Sequence, residues 1–330
     1  MIWGSNENFR MPMASTTKIM TGLLLCEYGN LEREIVTTKE MVTVEGSSMG
    51  LLQGDTVSLK ALLYGLLLAS GNDAANTIAI VVGGSVENFV NMMNERALAL
   101  GLEDTHFETP SGLDGDTHYT TCYELALIAR EAMKNEEFAK AVSTESITVS
   151  YGNPPYNRRI TNHNRLLKTY DDVVGVKTGF TKKSGRCLVS AARSEGRYVI
   201  AVTLDAPDDW DDHRYLLDLG LDSVNVVNIK PDNDKIDISV TSGEEQSITA
   251  QVEDINICAV KGAQTRCEVN INPCIVAPVK EGEILGEAVY FVNDEAVALR
   301  QIIAPKAIKQ KGVGKYAAFS DILMHIISFL

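Results

Sequence analysis

Three short polar motifs stand in one order along this chain, and the texture between them restricts the fold more than composition does. Ser15-Thr16-Thr17-Lys18 opens an apolar run over residues 19–25. Ser70-Gly71-Asn72 separates two further apolar runs, 59–68 and 74–82. Lys177-Thr178-Gly179 closes a β-rich run that begins at residue 173. Ser15 begins the only Ser-x-x-Lys in the chain and Lys177 the only Lys-Thr-Gly. A second Ser-x-Asn, Ser223 to Asn225, falls after Lys177 and out of order. A fold that uses all three must bring a helix start, a helix junction and a strand end to one place.

The punctuation supports that division. Pro12 and Ser15 mark a helix entry and Gly29-Asn30 its stop, which puts Lys18 about one turn beyond Ser15. Ser58 is placed to cap the next helix, which is apolar nearly all round and therefore expected to be buried. Gly83-Gly84 ends the run after Asn72, and residues 86–100 read as another helix that stops at Gly101. Thr121-Cys122-Tyr123-Glu124 reads as a capping box ahead of residues 125–133. The stretch from Ser58 to Lys140 is thus expected to be almost wholly helical.

Beyond it the texture changes. Residues 146–151, 173–177, 186–192 and 198–204 are short β-rich runs separated by turn clusters such as Asn153-Pro154-Pro155 and Lys183-Ser184-Gly185. The last three are close enough to pair as antiparallel hairpins, and residues 209–222 return to a helical period. Pro231-Asp232-Asn233-Asp234 is a polar break before a Val- and Ile-rich stretch, 235 to about 304, that reads as an all-β module. The expected organisation is an α/β (α+β) domain over 1–228, an antiparallel sheet with flanking helices and a helical subdomain. A small β-rich domain over 229–305 and an amphipathic helix over 306–330 follow it. In that last segment Lys306, Lys309, Lys311 and Lys315 precede Phe319, Ile322, Leu323, Ile326, Ile327 and Leu330 at helical spacing, with Asp321, His325 and Ser328 on the other face. The apolar stretch is too short and interrupted to cross a bilayer, and it suits a helix lying in a membrane surface. A terminal helix docked on its own protein is the alternative.

Composition removes other classes. A net charge of −14 argues against nucleic-acid binding, which needs a basic face. The six cysteines contain no Cys-x-x-Cys and the five histidines no His-Glu-x-x-His, so no metal site or cofactor is expected. Cys26, Cys122 and Cys187 read as small core residues. Cys258, Cys267 and Cys274 are close enough in sequence for one disulfide whose partners the sequence does not assign. Residues 1–10 have neither the basic start nor the apolar run of a signal peptide.

Serine hydroxyls become nucleophiles only when a neighbour takes the proton. Lys18 can do so as a neutral amine, and burial together with a second cation, Lys177, would lower its pKa. Asn72 offers donors and an acceptor for the Lys18 amine and a substrate amide, and Ser70 a hydroxyl that relays a proton. Lys177 and Thr178 supply a cation and a donor for a substrate carboxylate. Gly179 permits close approach of a substrate strand, and the N–H groups of Ser15 and Phe180 would form an oxyanion hole.

The stretches Ala14-Ser15-Thr16-Thr17-Lys18-Ile19-Met20-Thr21, Ala69-Ser70-Gly71-Asn72-Asp73-Ala74-Ala75 and Gly175-Val176-Lys177-Thr178-Gly179-Phe180-Thr181 carry a resemblance. They are similar to the serine D-alanyl-D-alanine carboxypeptidases, the low-molecular-weight penicillin-binding proteins. The similarity runs over about residues 5–225 and includes Thr109-Pro110-Ser111-Gly112-Leu113-Asp114 and Asn162-His163-Asn164-Arg165. It implies a β-lactamase/DD-peptidase-like fold and an extracytoplasmic enzyme held at the outer face of the cytoplasmic membrane through its last helix. Such an enzyme removes the terminal D-alanine of peptidoglycan pentapeptides and is acylated by β-lactams. Arg165 is similar in placement to a family arginine near the substrate carboxylate; a surface charge is the other reading. The resemblance also implies a signal peptide and a first sheet strand ahead of the nucleophile. Fourteen residues cannot hold both, so a longer N-terminus is expected.

Two other functions fit parts of the same sequence. A serine β-lactamase shares the three motifs, yet Glu103 and Glu108 lack the Leu-Asn context of a deacylating glutamate. An inactive peptidoglycan-binding scaffold would be expected to have lost a Ser, Lys or Asn of the trio, and none is lost.

Overall fold

The computed structural model describes residues 1–113 and 115–312 and divides the chain into two compact units, Met1–Ser223 and from Val224 onward. In the first unit a 3-10 turn, Ala14–Thr17, leads into α1 (Lys18–Tyr28), whose Ile19, Met20, Leu24 and Leu25 are wholly buried. Strand β1 (Glu34–Val36) and the one-turn α2 (Lys39–Val42) follow, then β2 (Thr56–Ser58). Ser58 Oγ accepts the Ala61 N–H and starts α3 (Leu59–Leu67). Nearly every residue of α3 is buried, as an apolar helix without a polar face requires. Helix α4 (Asn72–Gly83) stops at Gly84 in the left-handed region, and Ser85 caps α5 (Val86–Ala99), which buries Phe89, Met93 and Ala97 at intervals of four. Next come α6 (Cys122–Ala132) and α7 (Glu136–Ser143), the latter capped by Asn135 Oδ1 on two N–H groups.

The strands then form. β3 (Ser146–Gly152) and β4 (Pro155–Thr161) make a hairpin, and with β1 and β2 complete an antiparallel sheet in the order β1-β2-β3-β4. After the short α8 (Leu166–Thr169), β5 (Val173–Thr181), β6 (Gly185–Ser194) and β7 (Arg197–Thr203) form a second antiparallel sheet. Its register sets Phe180 opposite Arg186 and Lys177 opposite Val189. Helix α9 (Asp209–Ser223) packs on β6 and β7, α7 packs on β5, and the nucleophile turn meets β5 and β6. One core joins α1, α3 and α4 to the inner face of this sheet.

The expected helical block is interrupted. Residues 100–113 and 115–121 lie outside the helices, and His106 and Tyr119 exchange both backbone hydrogen bonds there. Left-handed Gly101 and Gly112, with Pro110 between them, break any helical continuation. The expected capping box is also only half made. Thr121 Oγ1 accepts the Glu124 N–H, but the Glu124 carboxylate turns to the N–H groups of Glu103 and Asp104 and the Thr105 hydroxyl. That carboxylate staples the loop to α6.

The second unit begins with β8 (Val224–Ile229), which pairs antiparallel with β11 (Ile255–Val260). Between them, β9 (Lys235–Thr241) pairs with β10 (Ser247–Gln251) and, in parallel, with the two-residue β13 (Ile275–Val276). The third sheet orders β12 (Thr265–Ile271), β14 (Ile284–Val292) and β15 (Glu295–Ile303) around β14. Alternating burial along β10 marks a half-buried strand, and Ile238, Ile248, Leu285, Ala288 and Tyr290 belong to a core of the unit's own. Residues 306–312 are extended, with Ile308 bridging Val279 and Lys311 N–H bonded to the Ser242 carbonyl. The rest of the expected terminal helix, from residue 313, lies outside the described residues, as does Asp114. Cys267 and Cys274 are thiols, and no helix among the described residues is long and apolar enough to cross a membrane.

Both tryptophans, Trp3 and Trp210, lie in the first unit, so their fluorescence reports its unfolding alone. Glu124→Ala leaves three buried or half-buried donors without a charged acceptor and should lower the stability of that unit by about 2–4 kcal/mol. Urea titration followed by tryptophan fluorescence measures it; a change below about 0.5 kcal/mol would show that the loop holds without the staple.

Candidate active site

Ser15 sits in the 3-10 turn just ahead of α1, where backbone N–H groups have no intrahelical acceptor. Ala14 takes a φ of +46°, and Thr16 Oγ1 donates to the Met13 carbonyl at 2.6 Å, which fixes the turn. Lys18 follows three residues later on the same face. Its Nζ lies 2.9 Å from Ser15 Oγ and donates to the Ser111 carbonyl at 2.6 Å, with the side chain entirely buried. Burial, and then the nearby Lys177 charge, push the Lys18 amine well below its ordinary value; Asp73 pulls weakly the other way.

Ser70 joins α3 to α4 at a φ of +58°. Its Oγ lies 3.0 Å from Lys177 Nζ, which reaches it from β5 and also donates to the Thr178 carbonyl at 2.8 Å. Lys177 is 1% exposed, and burial pushes its amine down to about 7. The two Ser–Lys pairs thus lie side by side, each lysine beneath its serine. Asn72 does not take the expected place on Lys18: its Nδ2 donates to the Glu45 carbonyl at 2.6 Å and its N–H to the Ser47 carbonyl at 2.7 Å. It anchors the 45–47 segment beside the cleft.

Gly179 meets a steric requirement. A Cβ there would lie 3.1 Å from Ser15 N and 3.2 Å from Ala14 Cβ. Without a side chain, β5 can run close beside the nucleophile turn, with Phe180, 66% exposed, at the rim. Gly112 meets the same demand from behind. Its φ is +82°, and a Cβ would fall 1.8 Å from the Ala14 carbonyl oxygen. The same loop takes the Thr21 hydroxyl on the Pro110 carbonyl at 2.6 Å. His118 completes this backing: the Glu108 N–H donates to Nδ1, so the neutral ring carries its proton on Nε2, 2.7 Å from Thr17 Oγ1.

Asp73, one residue past Asn72, is buried and accepts from five groups. Oδ1 takes the Met49 and Ala74 N–H groups, and Oδ2 takes the Ser48 hydroxyl and the Gly50 and Leu51 N–H groups. Sequence reading missed this role, although an acid at the second position of a helix was a signal for N-terminal bonding.

A cleft of about 330 Å³ opens above these groups. Ser15, Ser47, Ser70, Thr178, Gly179 and Phe180 line it, and Lys18, Lys177 and Asn72 are buried next to them. His163, Arg165, Arg186, Asp209 and Trp210 line it as well. Burial and the Lys177 charge lower the His163 pKa. Arg165 stacks 6.0 Å from the Trp210 ring centre, Arg186 lies 5.6 Å from the same ring, and Arg186 is paired with Asp209. Arg186, Asp209 and Trp210 were not found from sequence because no motif joins residues 23 positions apart.

A hydroxyl held against a buried, deprotonation-prone amine, with a second such pair beside it and a cleft above, defines a serine enzyme of the lysine-assisted acyl-transfer class. Residues 1–208 match the D-alanyl-D-alanine carboxypeptidase family, peptidase S11, and the chain belongs to that family. It is 31% identical over 325 residues to the D-alanyl-D-alanine carboxypeptidase DacF of Bacillus subtilis, covering 94% of this chain and 83% of that protein. The Streptomyces K15 DD-transpeptidase crystal structure matches with a TM-score of 0.64 at 32% identity, over 67% of this chain and 92% of that one. Penicillin-binding protein 5 of Haemophilus influenzae matches with a TM-score of 0.67 at 25% identity, over 93% of each chain.

The two lysines should titrate as neighbours. Lys177→Met removes the cation that helps hold Lys18 neutral, so the Lys18 titration midpoint should move to higher pH, read by NMR of lysines labelled at Cε. An unchanged midpoint would mean that burial alone sets it.

Proposed function

We propose that this protein is a serine D-alanyl-D-alanine carboxypeptidase that removes the terminal D-alanine from peptidoglycan stem peptides. The observation that carries the reading is Lys18 Nζ, 2.9 Å from Ser15 Oγ, fully buried, and paired with no carboxylate among the described residues. A neutral amine there gives one N–H to the Ser111 carbonyl and turns its lone pair to the Ser15 hydroxyl. As Ser15 Oγ bonds to the carbonyl carbon of the penultimate residue, Lys18 takes the hydroxyl proton. The N–H groups of Ser15 and Phe180 stabilise the oxyanion. Collapse breaks the amide, and the proton that Lys18 took passes through the Ser70 hydroxyl, which Lys177 holds at 3.0 Å, to the leaving amine, so that Lys18 is neutral again. Water then attacks the ester, Lys18 takes its proton and returns it to Ser15 Oγ as the acyl group leaves. Thr178 adds a hydroxyl donor on the cleft wall. No step calls for a cofactor.

The same site accounts for acylation by β-lactams. Attack on the four-membered amide leaves the expelled amine tethered in the cleft, so the ester persists. Glu103 and Glu108 do not line the cleft, and Glu108 bonds the Thr117 N–H, which favours slow hydrolysis of such esters over β-lactamase turnover. The substrate class supports an extracytoplasmic location. Lys309, Lys311 and Lys315 with the apolar stripe from Phe319 to Leu330 support attachment at the membrane surface. Lys306 is engaged with Glu245.

Ser15→Ala should abolish both D-alanine release and covalent penicillin labelling, and Lys18→Arg, permanently protonated, should cost about a hundredfold or more. Mass spectrometry that located a penicilloyl adduct on another residue would sink the assignment. Ending the chain after Gly312 should release it from vesicles rich in anionic lipid with peptide cleavage unchanged. Full-length protein that ignores such vesicles at low salt would refute the anchor.

A further inference from the structure

The sequence assigns the substrate carboxylate to Lys177, and the structure gives Lys177 other work. Its Nζ is beneath the cleft floor, bonded to Ser70 Oγ and the Thr178 carbonyl. Burial pushes the amine to about 7, so near neutral pH it is charged only part of the time. A carboxylate is better read by a cation that stays charged and presents several donors in one plane.

Arg186 is such a cation. It lies opposite Phe180 in the β5–β6 register, and cross-strand partners stand about 5 Å apart. The Phe180 N–H marks the proposed oxyanion hole, and the carboxylate of the leaving residue lies about one residue, or 3.8 Å, beyond the carbonyl held there. The guanidinium is already aimed. Nε and Nη2 both donate to Asp209 Oδ1, at 3.0 and 2.6 Å, and Trp210 packs beside the group. Asp209 is 4% exposed and Arg186 40%, so the acceptor is buried and the cation faces the cleft. Of five donors two are used, and no other described residue accepts from the rest. The Nη1–Nη2 edge stays open, the edge that takes a carboxylate through two parallel bonds. Asp208, Asp211 and Asp212 are exposed and do not line the cleft.

We propose that Arg186, positioned by Asp209 and Trp210, is the residue that reads the terminal carboxylate of the substrate, in place of Lys177; this rests on the carboxypeptidase reading above. Asp209 is a positioning residue, since it acts through Arg186. Arg165, on the same tryptophan ring but without an ion pair among the described residues, is the competing candidate.

The test uses the full chain and two substrates, a peptide ending in D-Ala-D-Ala and the same peptide with its last carboxylate converted to a carboxamide. Arg186→Gln should raise KM for the free acid about ten- to a hundredfold, the loss of one charge-assisted pair, with a smaller change in kcat. The amide should be cleaved with unchanged kcat/KM; if the amide is not turned over, its inhibition constant is compared instead. Arg186→Lys should recover part of the loss, and Asp209→Asn should show a smaller loss in the same direction. Equal losses on acid and amide, a free-acid KM within twofold of wild type, or the loss appearing with Arg165→Gln instead would each overturn the proposal. Failure of the underlying reading looks different: wild-type protein would neither release D-alanine nor form a penicilloyl ester on Ser15.

Discussion

Two lysine amines buried within one polar cluster are the constraint on which the rest of this structure depends. A lysine whose folded pKa falls below its unfolded value stays neutral where the unfolded chain takes up a proton. The folded state therefore loses stability as pH falls from about 10.5 toward the folded pKa. For Lys177, held near 7, the cost at neutral pH is about 5 kcal/mol. Lys18 adds to it in the same direction. That is a large fraction of a typical domain's total stability. The core joining α1, α3 and α4 to the second sheet offsets it, and the same core keeps water from resolvating the amines.

The burial also dictates the backbone around the cluster. Lysines hidden beneath two serines require the nucleophile turn, the α3–α4 junction and β5 to meet with little between them. Gly112 and Gly179 are glycines because the Ala14 carbonyl and the Ser15 N–H occupy the space of a side chain. Ala14 and Ser70 take left-handed backbone at the same meeting point, a conformation that non-glycine residues hold only when surrounding contacts compensate. Strain, close approach and depressed basicity are three aspects of one packing arrangement.

What could be read from the sequence follows the range of the forces involved. Helix ends were legible at Ser58, Gly29 and Gly83-Gly84, since capping is local. The antiparallel set β5–β7 was legible because its β-rich runs follow one another closely between turn clusters. β1 and β2 are three residues long, and four of the seven residues of β4 are polar, so none offered an apolar period. The boundary between units shifted to Val224 because β8 pairs with a strand 31 residues later, which no local signal announces. In the cleft, residues inside motifs were found, whereas Arg186, Asp209 and Trp210 depend on contacts between distant segments. Asn72 was recognised but given the wrong neighbour. Its side chain could bond equally well to an amine or a carbonyl, and only the fold decides between them.

Asp73 has a further consequence. The N–H groups of Met49, Gly50 and Leu51 belong to no helix or strand, yet all three end on one buried carboxylate. In hydrogen exchange this irregular segment should behave like the interior of a helix, since its amides open only when the carboxylate lets go of several at once. The Ser47 wall of the cleft, whose carbonyl takes the Asn72 N–H, is then a fixed rim during turnover.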